Sequence, residues 1–111
     1  MGAEPDLGEP YRSCMEKANT TLDMNGCIAD AMKEWDRHLN RVYRDKLSSL
    51  SPSAQKSFRS AQRAWLDYRD KDCLSRSKMA EGGSLAGIIY GECELKKTVQ
   101  RIDEFDTMHL D

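Results

Sequence analysis

Ala61-Gln62-Arg63-Ala64-Trp65-Leu66-Asp67-Tyr68-Arg69-Asp70-Lys71-Asp72-Cys73 is the stretch whose pattern decides the fold. Ala61, Trp65, Leu66 and Tyr68 recur at the spacing that gathers side chains on one side of a helix. A strand would need alternation, and there is none. Arginine and acid occupy most of the remaining positions, beside Gln62, Ala64 and Lys71, and Cys73 closes the stretch.

Outward from this helix the chain continues in helical code. Ser51-Pro52 predicts its start, a hydroxyl cap followed by proline at the first helical position, where a missing N–H costs nothing. The helix is expected to run through Phe58 to about Ala80. Before it, Ile28, Met32, Trp35, Leu39, Val42 and Leu47 trace a narrow apolar seam of a helix running to about Leu50. Thr20 is its N-cap, with Asp23 placed to complete a capping box. Tyr11 to Asn19 predict a shorter helix carrying Cys14. After Ala80, Gly82-Gly83-Ser84 reads as a stop and a start: glycine takes the left-handed conformation that ends a helix, and Ser84 caps the next. That last helix carries Leu85, Ile88, Ile89, Leu95, Val99, Ile102 and Phe105 on its apolar side. Gly87 and Gly91 within it imply a close approach by a neighbour, because each lowers helix propensity by about 1 kcal/mol relative to alanine.

The expected fold is therefore all-α, a small antiparallel bundle of three long helices plus a short N-terminal helix. Residues 1–10, rich in glycine, proline and acids with nothing to bury, read as a flexible tail, and 11–111 as a single helical domain. A chain of 111 residues has room for one core. No apolar run approaches the length that spans a bilayer. The formal charge of −2 is spread over the whole chain with no basic stripe, which argues against nucleic acid as a partner. Met1 to Asp6 contain neither the basic nor the apolar part of an export signal. Four cysteines in so short a chain nevertheless favour an oxidising compartment, with a leader already removed.

Four cysteines allow three pairings. Cys73 lies ten residues before Gly83 and Cys93 ten after it, so the two are level on facing helices. Cys14 and Cys27 straddle the Asn19/Thr20 boundary almost as evenly. Cys27 with Cys73 is also nearly level across the Ser51 turn, so height alone does not decide, but loop closure favours the local pairs Cys14 with Cys27 and Cys73 with Cys93. Gly87 and Gly91 are expected to give the room that a bridge near Cys93 needs. The rival arrangement is a zinc site gathering all four thiols, although no C-x-x-C spacing supports it.

Catalytic chemistry is sparse. His38 falls on the charged side of its helix and His109 beside the C-terminus, both reading as surface histidines. No nucleophile elbow, H-E-x-x-H or phosphate-binding loop occurs, so neither an enzyme nor a cofactor is expected. Asp36, Asn40, Gln62, Arg69 and Asp70 sit at the margins of the apolar seams and are expected to form a structural polar network between the second and third helices. Trp35 and Trp65 read as core residues from their seam positions.

Taken together these blocks resemble a known family. A first cysteine followed by Thr20-Thr21-Leu22-Asp23-Met24-Asn25-Gly26-Cys27, then Asp36-Arg37-His38-Leu39-Asn40-Arg41-Val42-Tyr43, then Ala61 to Cys73, then Gly82-Gly83-Ser84, Cys93 and Thr98-Val99-Gln100-Arg101 are similar to the family named for the N-terminal domain of the lysozyme inhibitor LprI. Trp35, near where the family has tyrosine, and Lys97, where it often has leucine, depart from the pattern without touching the cysteine frame.

The resemblance implies an exported, disulfide-bonded helical domain of the bacterial envelope, periplasmic or at the cell surface, with no catalytic residues. It also implies a lysozyme or another envelope protein as partner. Two functions follow as expectations. One is a binding protein that occludes the cleft of a lysozyme-type hydrolase, with the Gly82-Gly83-Ser84 turn as the candidate partner-binding element. The other is a non-inhibitory structural or assembly module that binds another protein through a helix face.

Overall fold

A computed structural model describes residues 4–80 and 82–108. They form four helices, α1 (Glu9–Lys17), α2 (Thr21–Ser48), α3 (Pro52–Lys78) and α4 (Leu85–Thr107), with no strand among the described residues. The helix starts follow local chemistry. Thr20 Oγ1 accepts from the Asp23 N–H at 3.0 Å, and the Asp23 carboxylate reaches back to the Asn19 N–H at 3.1 Å. Two amides that the first turn cannot satisfy internally are thereby paired. Ser51 Oγ caps α3 at the Ala54 N–H, and Gln55 Nε2 donates to the carbonyls of Leu47 and Leu50, closing the end of α2.

At the last turn Gly82 and Gly83 have φ of 83° and 82°, the left-handed conformation that only glycine takes freely. Ser84 does not cap α4. Its backbone is already helical, with φ −69° and ψ −19°, whereas a capping hydroxyl needs an extended backbone to reach the next turn.

Consecutive helices run antiparallel, so α2 and α4 run parallel. Ile28 meets Gly91 near their starts, and the Tyr43 and Phe105 rings lie 6.5 Å apart near their ends. At about 1.5 Å per residue α2 spans most of the 49 Å long axis of the molecule. Tyr11, Cys27, Ile28, Ile88 and Leu95 form one buried cluster where α1, α2 and α4 meet. Leu39, Ile102 and Phe105 form another at the far end, joined there by Phe58 and Trp65 of α3. Trp35 is half-buried between the two clusters.

Both local cystine pairs are present, Cys14–Cys27 and Cys73–Cys93, with Cα separations of 5.7 and 5.5 Å. No free thiol remains among the described residues, which closes the zinc alternative. The room at Gly91 serves a different neighbour from the one expected. A Cβ there would lie 2.4 Å from Ile28 Cγ2, so this glycine lets α2 rather than α3 come close, while Gly87 only brushes the Asn25 side chain.

Three further readings are corrected. Leu7, within the stretch expected to have nothing to bury, packs on the α1–α2–α4 cluster, and its carbonyl accepts from the Trp35 indole N–H at 3.0 Å. His38 is half-buried and stacks on the Trp35 ring at 5.7 Å, because Leu7 and Trp35 extend the apolar surface around it. His109 lies outside the described residues. The third correction concerns α3, whose apolar face is buried only in part, at Phe58 and Trp65. Ala61 is exposed and Tyr68 is 52% exposed, whereas Gln62, Arg69, Cys73 and Ser77 are buried. The bridge to Cys93 fixes which way Cys73 points, and those polar residues share its stripe of the helix.

Candidate functional site

Two places carry unusual chemistry, a polar cluster inside the α3–α4 contact and the exposed turn at its end. The cluster is centred on Arg69, whose side chain is 10% exposed. Its Nε donates to Asp70 Oδ1 at 3.0 Å and lies 3.3 Å from Glu94 Oε1, while Nη1 donates to Thr98 Oγ1 at 3.2 Å. The Thr98 hydroxyl in turn donates to the Glu94 carbonyl at 2.7 Å. One turn along, Arg101 Nε donates to Gln62 Oε1 at 3.0 Å. Lys97 closes the row on the Tyr68 hydroxyl and the Asp72 carboxylate, at 3.1 and 3.0 Å. Both Arg69 and Arg101 lie 5.4 Å from the Trp65 ring, which their guanidinium groups approach by cation–π attraction.

Of the residues expected in a polar network, Gln62 and Arg69 do bond between helices, while Asp70 accepts from Arg69 on its own helix. The partners of Gln62 and Arg69 across the contact are on α4 and not on α2. The reason is geometric: the α3 stripe that carries them is turned toward α4 by the Cys73–Cys93 bridge. Asp36 is half-buried on α2 and close enough to Glu94 to disfavour its ionisation, while Asn40 is exposed and makes no hydrogen bond to the cluster. Sequence reasoning missed Glu94 and Thr98. Their nearness to Cys93 was the available signal, since residues beside a bridged cysteine share its interface.

Titration follows from these surroundings. Burial raises the Glu94 carboxyl to about 7, Arg69 pulling against the rise and Asp70 and Asp36 adding to it. Burial also raises the Tyr11 hydroxyl, helped by its 2.9 Å hydrogen bond to Glu92, which ties α1 to α4. The Arg76 and Lys97 hydrogen bonds hold Asp72 below its usual range.

At the turn the side chains face solvent. Met79 is 75% and Leu85 61% exposed on either side of Gly82 and Gly83, and a Cβ at either glycine would meet nothing within 4 Å. A groove of about 480 Å³ also runs between α1 and α2, lined by Leu7, Tyr11, Cys14, Ala31, Trp35 and His38, but the indole N–H in it is already committed to Leu7. Among the described residues no group of His, Cys, Asp and Glu is arranged to hold a metal ion, and no helix is long and apolar enough to cross a membrane.

This bridged helical frame has a counterpart among known families. The family model described as Lysozyme inhibitor LprI matches residues 14–105, from the first cysteine to the last core phenylalanine. The chain belongs to the LprI family. An uncharacterized protein of Rhizobium meliloti (strain 1021) is 28% identical over 115 residues, covering 92% of this chain and 82% of the relative. No solved structure matches the chain. Membership implies an inhibitor-like function toward lysozyme, and together with two disulfides it points to a place outside the cytoplasm.

Proposed function

We propose that this LprI-family protein is an envelope protein, periplasmic or at the cell surface, that binds lysozyme-type cell-wall hydrolases and blocks their cleft. The match of the family model to residues 14–105 carries the reading, since it takes in both disulfides and every long helix. Occlusion requires a rigid body and a protruding element, not catalytic groups.

The Gly82-Gly83-Ser84 turn supports that role by its form. It is slim at the two glycines, its flanking Met79 and Leu85 are exposed, and Cys73–Cys93 anchors the helices that bear it. Exposed apolar side chains beside a narrow tip suit insertion into a cleft, where their burial favours binding. The slight acidity of the chain steers it weakly toward a basic enzyme.

The test is cell-wall lysis by several lysozymes with and without micromolar oxidised protein. Slower lysis is expected. Replacing Met79→Asp together with Leu85→Asp is expected to abolish the inhibition while leaving the helical circular dichroism unchanged. Lysis at the same rate with every enzyme tried would overturn the reading, whereas inhibition that survives the double substitution would move the contact away from the turn.

A further inference from the structure

Two carboxylates, Asp70 from α3 and Glu94 from α4, share one guanidinium, that of Arg69, and a third, Asp36 from α2, lies close enough to Glu94 to disfavour its charge. Arg69 divides its Nε between Asp70 and Glu94 and sends Nη1 to Thr98. The Thr98 hydroxyl proton is taken by the Glu94 carbonyl. Glu94 itself is 7% exposed, and its Oε2 is enclosed with no hydrogen-bond partner among the described residues. An enclosed carboxylate oxygen that no donor reaches, beside two more acids and a single cation, is held at high free energy while it is charged. A proton relieves this, because it removes the charge and turns the group into a donor.

We propose that Glu94 is a proton-operated latch between α3 and α4. Neutral, its carboxyl donates to Asp70 and draws the two helices together beside the Cys73–Cys93 bridge. Ionised, it faces Asp70 as one anion against another, and the contact loosens. The bridge pins residues 73 and 93, so the loosening spreads away from the turn, toward Gln62 and Arg101.

The charged and titratable groups facing Glu94 are Asp36 on α2, Arg69 and Asp70 on α3, and Tyr90 on α4, whose hydroxyl is itself raised by burial, Glu94 and Asp70 and so stays neutral near pH 7. The short helix α1 makes its polar link elsewhere, through Tyr11 to Glu92.

The sign follows from linkage. With its folded value near 7, above the ordinary 4.5, Glu94 binds more proton in the folded chain than in the unfolded one across that interval. Stability is therefore highest below the interval, falls as pH rises through it and levels off above about 7.

The experiment is urea unfolding of the oxidised chain and of Glu94→Gln from pH 5 to pH 8. Glutamine keeps a donor for Asp70 but cannot ionise. The wild-type folding constant is expected to fall on the order of a hundredfold over the range, because one proton bound by the folded chain alone changes that constant about tenfold for each pH step of one, while the variant loses most of that dependence. Hydrogen exchange, corrected for its intrinsic pH dependence, is expected to quicken in residues 62–72 at pH 8 in the wild type alone. Parallel pH profiles for the two proteins would overturn the proposal. If Glu94→Gln does not fold, the Glu94 side-chain carboxyl carbon is followed by NMR in the wild type. A midpoint near neutrality supports the latch, and one in the ordinary carboxylate range overturns it.

Discussion

Helix α4 meets its two long neighbours through different chemistry. Toward α2 and α1 it presents Ile88, Leu95 and Ile102, and it comes close enough for Ile28 to sit on the bare backbone of Gly91, while at its end Phe105 packs between Tyr43 of α2 and Phe58 of α3. Toward α3 it presents Glu94, Lys97, Thr98 and Arg101, and what they meet is Arg69, Asp70, Asp72, Gln62 and the Tyr68 hydroxyl. Apolar burial makes the first contact favourable by itself, at roughly 25 cal/mol per Å² removed from water. The second recovers little beyond the desolvation of its charges, so it gives register more than stability, and a covalent bridge holds it.

If that contrast is right, the largest loss comes from the apolar contact. Phe105→Ala removes a fully buried ring that touches Phe58 and Tyr43, and it is expected to destabilise the fold by about 3–5 kcal/mol in urea unfolding. Replacing both Cys73 and Cys93 with serine opens a loop with a sequence separation of 20 and is expected to remove roughly 2–4 kcal/mol. Its hydrogen-exchange signature should appear in α3 before α2. Equal quickening in both helices would break the distinction between the two contacts.

Gly91→Ala places a methyl group against Ile28 and is expected to cost about 1–3 kcal/mol. Gly26→Ala, at an exposed position inside α2 with nothing within 4 Å, should instead stabilise by about 0.5–1 kcal/mol. Opposite signs at two helical glycines are the sharpest small test of where α2 and α4 touch. Thermal melts of both variants would show them.

The same contrast explains what could be read in the sequence. The seam from Ile28 to Leu47, the Thr20 and Ser51 caps and the left-handed glycines were legible because each is a local consequence of residue type. The turns left two pairings level, and loop closure favoured the local bridges that form. The orientation of α3 was not legible from periodicity. Hydrophobic spacing reports the face a helix would bury if burial were decided by water alone, and here that face carries the exposed Ala61 and Tyr68. The cystine overrides it, turning Arg69, four residues before Cys73, and Ser77, four after, into the interface. Leu7 was hidden for another reason: one apolar residue in a polar tail has no period to betray it. The polar cluster was half visible, through Arg69, Asp70 and Gln62, while Glu94 required knowing which helix they face.

Both cystines link helices that are neighbours along the chain, so residues 28–72 are the single peptide path between two closed rings, and Ser49–Ser51 is the stretch of that path outside a helix. A protease that nicks residues 15–26 or 74–92 leaves one covalent object, whatever the denaturant. A cut at Ser49–Ser51 yields halves joined only by packing, which part in urea without any reductant. In a milieu full of proteases, survival of this chain as one body depends on that short elbow.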